Sequence, residues 1–401
     1  MASAGHTIAR VEAFVLVGDK DYATDAGLAT LAQGSGRSVS PRPMGDPGDL
    51  HVCTYPPQAQ TCLVRLTTDS GFTGWGECHA PMSPRATAAI VLDVLAPVLI
   101  GQNPLATEVL WKRMYGSQRL RGQIAGYQME AIAGIDIALW DLAGKLLDRP
   151  VYELLGGPFR TSLPAYASGV PGGTVAERVF SLNRFIDEGY TAIKASIGRG
   201  TIDDDLAGLT PLIEAVRGSA DILVDAHGAY TAENAIVVAR ELESMGAAWL
   251  EDPLPLEDIE GYARLCAAVD MPIVSGETEC TSFQMLDRLK AGTPDILLPD
   301  VCRAGGISEG RRIADVAHLY NRRWAAHVCM GSSIHVAAAA HLAAASSNFL
   351  IFEFPSTPNP IGDCLLTSPL RPERGMFTVP AGPGLGIEFD DEQLAGHAIQ
   401  I

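Results

Sequence analysis

The chain has 401 residues, is 47% hydrophobic and carries a formal net charge of -18, with an isoelectric point near 4.8. That balance excludes a nucleic-acid partner held by phosphate contacts, and no uninterrupted apolar run is long enough to cross a membrane. The length exceeds one small domain and predicts two or three folding units with real apolar cores.

Cysteines stand at positions 53, 62, 78, 266, 280, 302, 329 and 364, with no C-x-x-C or Cys/His metal spacing. This is the pattern of buried thiols in a reducing compartment. The opening stretch MASAGHTIARVEAFVLVG lacks a basic segment followed by a continuous apolar run, so a cytoplasmic protein is expected.

In chain order, IARVEAFVLV (8–17) alternates as a strand, and TCLVRLTTDSGFTGWGEC (61–78) reads as a hairpin turning at Asp69, Ser70 and Gly71. Between them, residues 18–58 are rich in Gly, Pro, Asp and Ser, and a stretch this long without periodicity predicts a lid or binding loop. It offers Tyr22, Arg37, Arg42 and His51 as contacts to a hydroxyl or carboxylate. Helical spacing follows over 86–148, notably in MEAIAGIDIALWDLAGKLLD (129–148). Residues 1–155 therefore read as an α+β domain.

Over 156–355 the pattern changes. The short apolar strands LPAYAS, TAIKAS, DILVDAH, AAWLEDP, PIVSGE, DILLPD, RWAAHV and FLIFEF alternate with helix-compatible stretches. HVAAAAHLAAA (335–345), Ala-rich with two histidines, reads as a packed helix. Eight such repeats fit a closed parallel barrel, with residues 356–401 as a C-terminal segment.

Reactive residues of such a barrel stand at the carboxyl ends of its strands. Reading only those ends gives Lys194, Asp225, Glu251, Glu277, Asp300, His327 and Glu353. Strands three, four and five each end in a carboxylate, in two steps of 26 residues. Carboxylates converging on one mouth repel unless a cation sits among them, and an all-oxygen set suits a hard ion such as Mg²⁺. In TAIKASIG (191–198), Lys194 and Ser196 are two apart on a strand and face the same space.

Taken together, GIDIALWDLAGKLLDRPVYELLGG (134–157), ILVDAHGAY (222–230), WLEDP (249–253), SGE (275–277), LLPDVCRAGGIS (297–308), AAHV (325–328) and PLRPERGMFTVPAGPGLGIEFD (369–390) resemble the enolase superfamily, and within it the mandelate racemase subgroup. The resemblance implies an α/β fold, a modified TIM barrel of (β/α)₇β type with an α+β N-terminal capping domain completed by the C-terminal tail. It implies Asp225, Glu251 and Glu277 as Mg²⁺ ligands, and chemistry that removes a proton α to a carboxylate while the metal stabilises the enediolate.

By the same resemblance, His327 and Asp300 match the subgroup's His-Asp dyad, in which the Asp orients the imidazole. Glu353 matches the acid that hydrogen-bonds the enolic oxygen. Related sequences carry Lys-x-Lys where this chain has Lys194-Ala195-Ser196, the second Lys being a base on the opposite face. A serine hydroxyl without an activating partner does not replace that amine. Two-base racemisation is disfavoured, and Lys194 is expected to serve as a cation near the substrate carboxylate.

DAHG sets His227 two residues beyond Asp225, as in the mannonate dehydratases. There it either protonates a departing hydroxyl or makes a supporting hydrogen bond. Arg303 either orients Glu277 or contacts substrate. The expectation is a Mg²⁺-dependent dehydratase, a hydro-lyase, acting on an aldonate or aldarate and yielding a 2-keto-3-deoxy acid. The alternatives are a racemase, an epimerase or a lactone cycloisomerase, and outside enzymes a non-catalytic metabolite-binding relative. The expected partners are a small-molecule carboxylate and further copies of the chain in a homo-oligomer.

Overall fold

The computed structural model describes residues 6–21, 30–31, 38–43, 50–56, 58–357, 359, 361–362 and 365–399. Its N-terminal part holds β1 (Ile8–Asp21), β2 (Thr30–Leu31), β3 (Ser38–Pro43), β4 (Leu50–Tyr55), β5 (Gln58–Thr68) and β6 (Thr73–Glu77). β1, β5 and β6 are antiparallel neighbours, and the expected hairpin is present, with Leu63 opposite Glu77.

The stretch between β1 and β5 departs from the expected loop. β2, β3 and β4 form a three-stranded antiparallel sheet, with Ser38 opposite Tyr55 and Pro43 opposite Leu50. Pro41 and Pro43 concealed β3, because proline removes a ladder donor, although strands accept it at edges and irregular positions. Tyr22 and Arg37 lie outside the described residues, as do the side chains of Arg42 and His51.

Behind the first sheet runs the helix Tyr127–Leu147, buried along most of its length. It lies so close to β6 that a Cβ on Gly76 would stand 1.8 Å from the Gly134 carbonyl oxygen. Only glycines permit that approach. The helix's acids then tie distant segments together. Asp136 accepts hydrogen bonds from Ser308 N at 2.9 Å and Ser308 Oγ at 2.6 Å. Asp141 accepts from Trp75 N at 2.8 Å and Leu385 N at 2.9 Å.

Eight parallel strands follow: β7 (Ser162–Ser168), β8 (Ala192–Ser196), β9 (Asp221–Asp225), β10 (Trp249–Glu251), β11 (Ile273–Ser275), β12 (Ile296–Leu297), β13 (Arg323–Ala326) and β14 (Phe349–Pro355). They are the eight strands read from the sequence, and β14 pairs with β7 to close the barrel. Strand periodicity turns alternate side chains inward. Tyr166, Ala192, Leu223, Trp249, Val274, Leu298 and Ala325 thereby form a buried apolar plug. The helix Ser333–Ala344 is buried on every side, as its Ala-rich sequence requires.

After the barrel, β15 (Met376–Thr378) pairs antiparallel with β7, and β16 (Ala398–Ile399) pairs with β1 of the N-terminal sheet. The chain's end thus rejoins its beginning. No described helix is long and apolar enough to cross a membrane.

Burial pushes the Asp136 carboxyl up to about 7, against the pull of its Ser308 hydrogen bonds. Because this lies above the ordinary value of about 3.9, the folded form holds the proton more tightly. The associated stability is present at low pH and lost as pH rises through about 7. Urea unfolding between pH 5 and pH 8 should show this loss, and Asp136→Asn should flatten it. Ser308→Ala should cost about 1–3 kcal/mol, by leaving a buried carboxylate oxygen and the Trp140 indole N–H without the hydroxyl.

Candidate active site

Two residues beyond each plug position the chemistry changes. Tyr166 is followed by Ser168, Ala192 by Lys194, Leu223 by Asp225, Trp249 by Glu251, Leu298 by Asp300, Ala325 by His327, and the partly buried Ile351 by Glu353. The inward register that builds the plug thus also builds a polar layer on top of it. β11 is the exception, since two residues past Val274 comes Gly276. Its φ of +139° and a would-be Cβ 2.9 Å from Leu298 N suit glycine alone. The break in register brings Glu277 into the layer.

Lys194 lies at the centre of this layer. Its Nζ is 2.6 Å from Glu251 Oε1, 2.7 Å from Glu353 Oε1 and 3.5 Å from Asp225 Oδ2, with only 5% of the residue exposed. Burial opposes its charge, but Glu251 and Glu353 outweigh burial and hold the amine well above its ordinary value. Lys194 is therefore a fixed cation. Glu353 has both oxygens engaged, Oε1 by Lys194 and by the Ser168 hydroxyl at 2.6 Å, Oε2 by Val328 N at 2.9 Å. Burial raises its carboxyl, yet Lys194 and His327 prevail and hold it below the usual range. In this arrangement Glu353 accepts hydrogen bonds and does not donate one.

His327 is held from two sides. Nδ1 lies 2.7 Å from Asp300 Oδ2, and Nε2 lies 2.9 Å from Glu277 Oε2. Burial disfavours the imidazolium, but Glu277, Glu353 and Asp300 together hold the ring well above its ordinary value. Asp300 in turn accepts from Cys302 N at 2.8 Å and approaches His335 Nε2 at 3.2 Å. Arg303 reaches Glu277 Oε1 at 3.3 Å, the contact that orienting Glu277 requires. His227 adopts a left-handed φ of +48° and sets Nδ1 3.0 Å from Asp225 Oδ1.

A cavity of about 170 Å³ opens over the layer, its wall including Lys194, Ser196, Asp225, His227, Glu277 and His327. The strand-end residues expected at the site, with His227 and Arg303, are in this cluster, and Asp225 and Glu251 are direct cross-strand neighbours. Around the cavity Asp225, Glu251, Glu277 and Glu353 outnumber the permanent cations Lys194, Arg199 and Arg303. Glu251 Oε2 is buried and has no hydrogen-bond partner, and burial, with Asp225 and Glu353 nearby, drives its carboxyl well above the usual range. An all-oxygen set short of positive charge, with one orphaned oxygen, fits a hard divalent cation. Asp300, Cys302 and His335 also bring ligand atoms within 4.8 Å of one another. They are fully buried, and Asp300 is already committed to His327, so this trio supports the imidazole.

Three residues here escaped the sequence reading. Ser168 was detectable, because it follows Tyr166 by the same two-residue step. His335 lies on a helix whose contact with Asp300 no local pattern announces. His79, with a φ of +56°, brings its ring into the cavity wall from the capping domain, its Nε2 being 2.6 Å from the Cys329 carbonyl oxygen.

Two family models match the chain: "Mandelate racemase / muconate lactonizing enzyme, N-terminal domain" over residues 37–156, and "Enolase C-terminal domain-like" over residues 177–393. The chain is 37% identical to D-galactarolactone cycloisomerase of Agrobacterium fabrum, across 83% of this chain and 89% of that protein. It is 32% identical to D-xylonate dehydratase of Haloferax volcanii, across 84% of this chain and 85% of the relative. The crystal structure of a member of the enolase superfamily from Agrobacterium tumefaciens superposes with a TM-score of 0.89 at 29% identity, covering 99% of this chain and 100% of that one.

The register break at Gly276 is open to a direct check. Gly276→Ala should lower the unfolding free energy by about 1–3 kcal/mol, because an L side chain is strained at that φ and its Cβ meets backbone. A chemical denaturation curve superimposable on that of the wild type would contradict the role given to this glycine.

Proposed function

Because the chain belongs to the mandelate racemase and muconate lactonizing enzyme family of the enolase superfamily, we propose that it is a sugar-acid dehydratase. The substrate is an aldonate or aldarate, the product a 2-keto-3-deoxy acid, and the working form a Mg²⁺-loaded homo-oligomer in the cytoplasm. One observation carries this reading. A single oriented base, His327, and a second histidine, His227, share the wall of one cavity, while Lys194 is locked as a cation among carboxylates.

Asp225, Glu251 and Glu277 would hold the metal. A divalent ion there would supply positive charge against the second negative charge that builds on the substrate carboxylate, and by engaging Glu277 would release His327 from the anion that retains its proton. The remaining steps belong to the protein. Asp300 accepts a hydrogen bond from His327 Nδ1–H, which leaves Nε2 as the base that takes the α-hydrogen. As that C–H bond breaks, a carbon–carbon double bond forms toward the β-carbon and the β-hydroxyl departs. Hydroxide is a poor leaving group, so it needs a proton, which on this reading His227 gives from the cavity wall. The enol then takes a proton at the β-carbon, loses the proton of its hydroxyl and becomes the 2-keto acid. Glu251 and Glu353 hold Lys194, whose charge faces the substrate carboxylate.

A second reading is lactone cycloisomerisation, favoured by the 37% identity to D-galactarolactone cycloisomerase. It uses the same base, but the leaving group is a carboxylate, which departs without a proton. His227 in the cavity wall is the feature that favours a departing hydroxyl.

His327→Asn should lower turnover at least 10³-fold, and calorimetric Mg²⁺ binding should remain. Glu251→Gln should weaken that binding by tenfold or more. The test of the reading itself is a screen of aldonates and aldarates with Mg²⁺ for 2-keto acid formation, in parallel with lactones. Turnover of lactones alone would overturn the dehydratase reading, and a fully active His327→Asn variant would overturn the mechanism.

A further inference from the structure

A second, larger cavity of about 490 Å³ lies beside the catalytic one, and Arg303 stands in the wall of both. Its wall joins Ala125 and Gly126, just before the helix Tyr127–Leu147, to Leu256 and Ile259 after β10 and to residues 278–288 after β11. The surroundings are acidic. Glu130, Glu257, Glu279 and Asp287 line it, and the run Glu257-Asp258-Ile259-Glu260 borders it with Glu257 and Glu260 exposed. Its two arginines are already committed, Arg288 to Glu279 and Arg303 to Glu277.

The adjoining surface has the opposite character. Residues 109–129 hold Lys112, Arg113, Arg119 and Arg121 and no acid, within a chain of net charge -18. Just past the end of the helix Thr107–Arg119 stands Leu120, 101% exposed between Arg119 and Arg121, followed by the exposed Ile124 and Tyr127. The turn is well formed, with Arg121 N donating to Gln118 O at 2.9 Å and Gly122 N to Arg119 O at 3.0 Å. On the other side of the cavity, Leu256 and Phe283 are also exposed. Exposed apolar groups clustered in this way mark contact surfaces.

A basic, apolar-tipped knob and an acidic, partly apolar hole thus occupy one face, joined through Ala125 and Gly126. The full exposure of Leu120 shows that the knob does not fill the hole of its own chain. Under a twofold axis the same patch meets itself, and each copy's knob faces the other's hole. We propose that the Arg119-Leu120-Arg121 turn of one copy seats in the acidic cavity of a second copy, and that this reciprocal contact forms a dimer. The oppositely charged surfaces would also speed the encounter.

The test is sedimentation of the intact protein at low and high salt. The wild type should sediment as a dimer or a multiple of it. Leu120→Asp should give half-sized particles with unchanged far-UV circular dichroism. Arg121→Glu and Glu257→Arg should each weaken association by roughly tenfold or more, while the double variant recovers it, because the reversed charges again face one another. The two reversals lie at exposed positions, so they remain informative if Leu120→Asp fails to fold. A monomeric wild type, an association state unmoved by all three substitutions, or a double variant no better than its parents would each overturn the proposal.

Discussion

Like charge crowded into a dry space is the constraint on which this structure depends. Asp225, Glu251, Glu277 and Glu353 stand over an apolar plug that admits no solvent from below, and Coulomb repulsion grows as the surroundings lose water. Such a group persists only where cations are supplied. Lys194 supplies one by bridging Glu251, Glu353 and, more distantly, Asp225. Arg303 supplies another at Glu277. With Arg199 also in the cavity wall the carboxylates still outnumber the cations, and a Glu251 oxygen stays buried without a donor, as a site for a cation would leave it.

The same charges are secured from behind by the capping domain. Glu77, at the end of β6, is fully buried and accepts hydrogen bonds from Ser332 N at 2.9 Å and His335 N at 3.1 Å. Its carboxylate thereby meets the unsatisfied donors at the start of the helix Ser333–Ala344. That helix carries His335, which meets Asp300, which orients His327. The N-terminal sheet and the base of the barrel are therefore joined by a continuous set of hydrogen bonds and ion pairs. The register of β6 on the helix Tyr127–Leu147, permitted by Gly76 and Gly134, places Glu77 where this set begins.

Much of this was legible in the sequence, for a physical reason. A parallel barrel reads out its interior with a period of two, so each strand's last inward residue can be named once the strands are found. Lys194, Asp225, Glu251, Asp300, His327 and Glu353 follow from that rule, and Ser168 would have followed had it been applied to β7. Glu277 was found by spacing, although its actual placement depends on the break at Gly276. What stayed hidden depends on contacts between distant segments, as with His335 behind Asp300 and His79 in the cavity wall. The sheet formed by β2, β3 and β4 was missed because its prolines and flanking glycines carry the composition of a loop.

In the proposed reaction a single imidazole ionises the α-carbon and a hydroxyl then leaves. The most direct measurement is the mass and isotope content of the product formed from a sugar acid in D₂O. A product lacking one water and carrying deuterium beside its new ketone is what this geometry predicts. A product isomeric with its substrate, or substrate that gains α-deuterium without losing water, would contradict it.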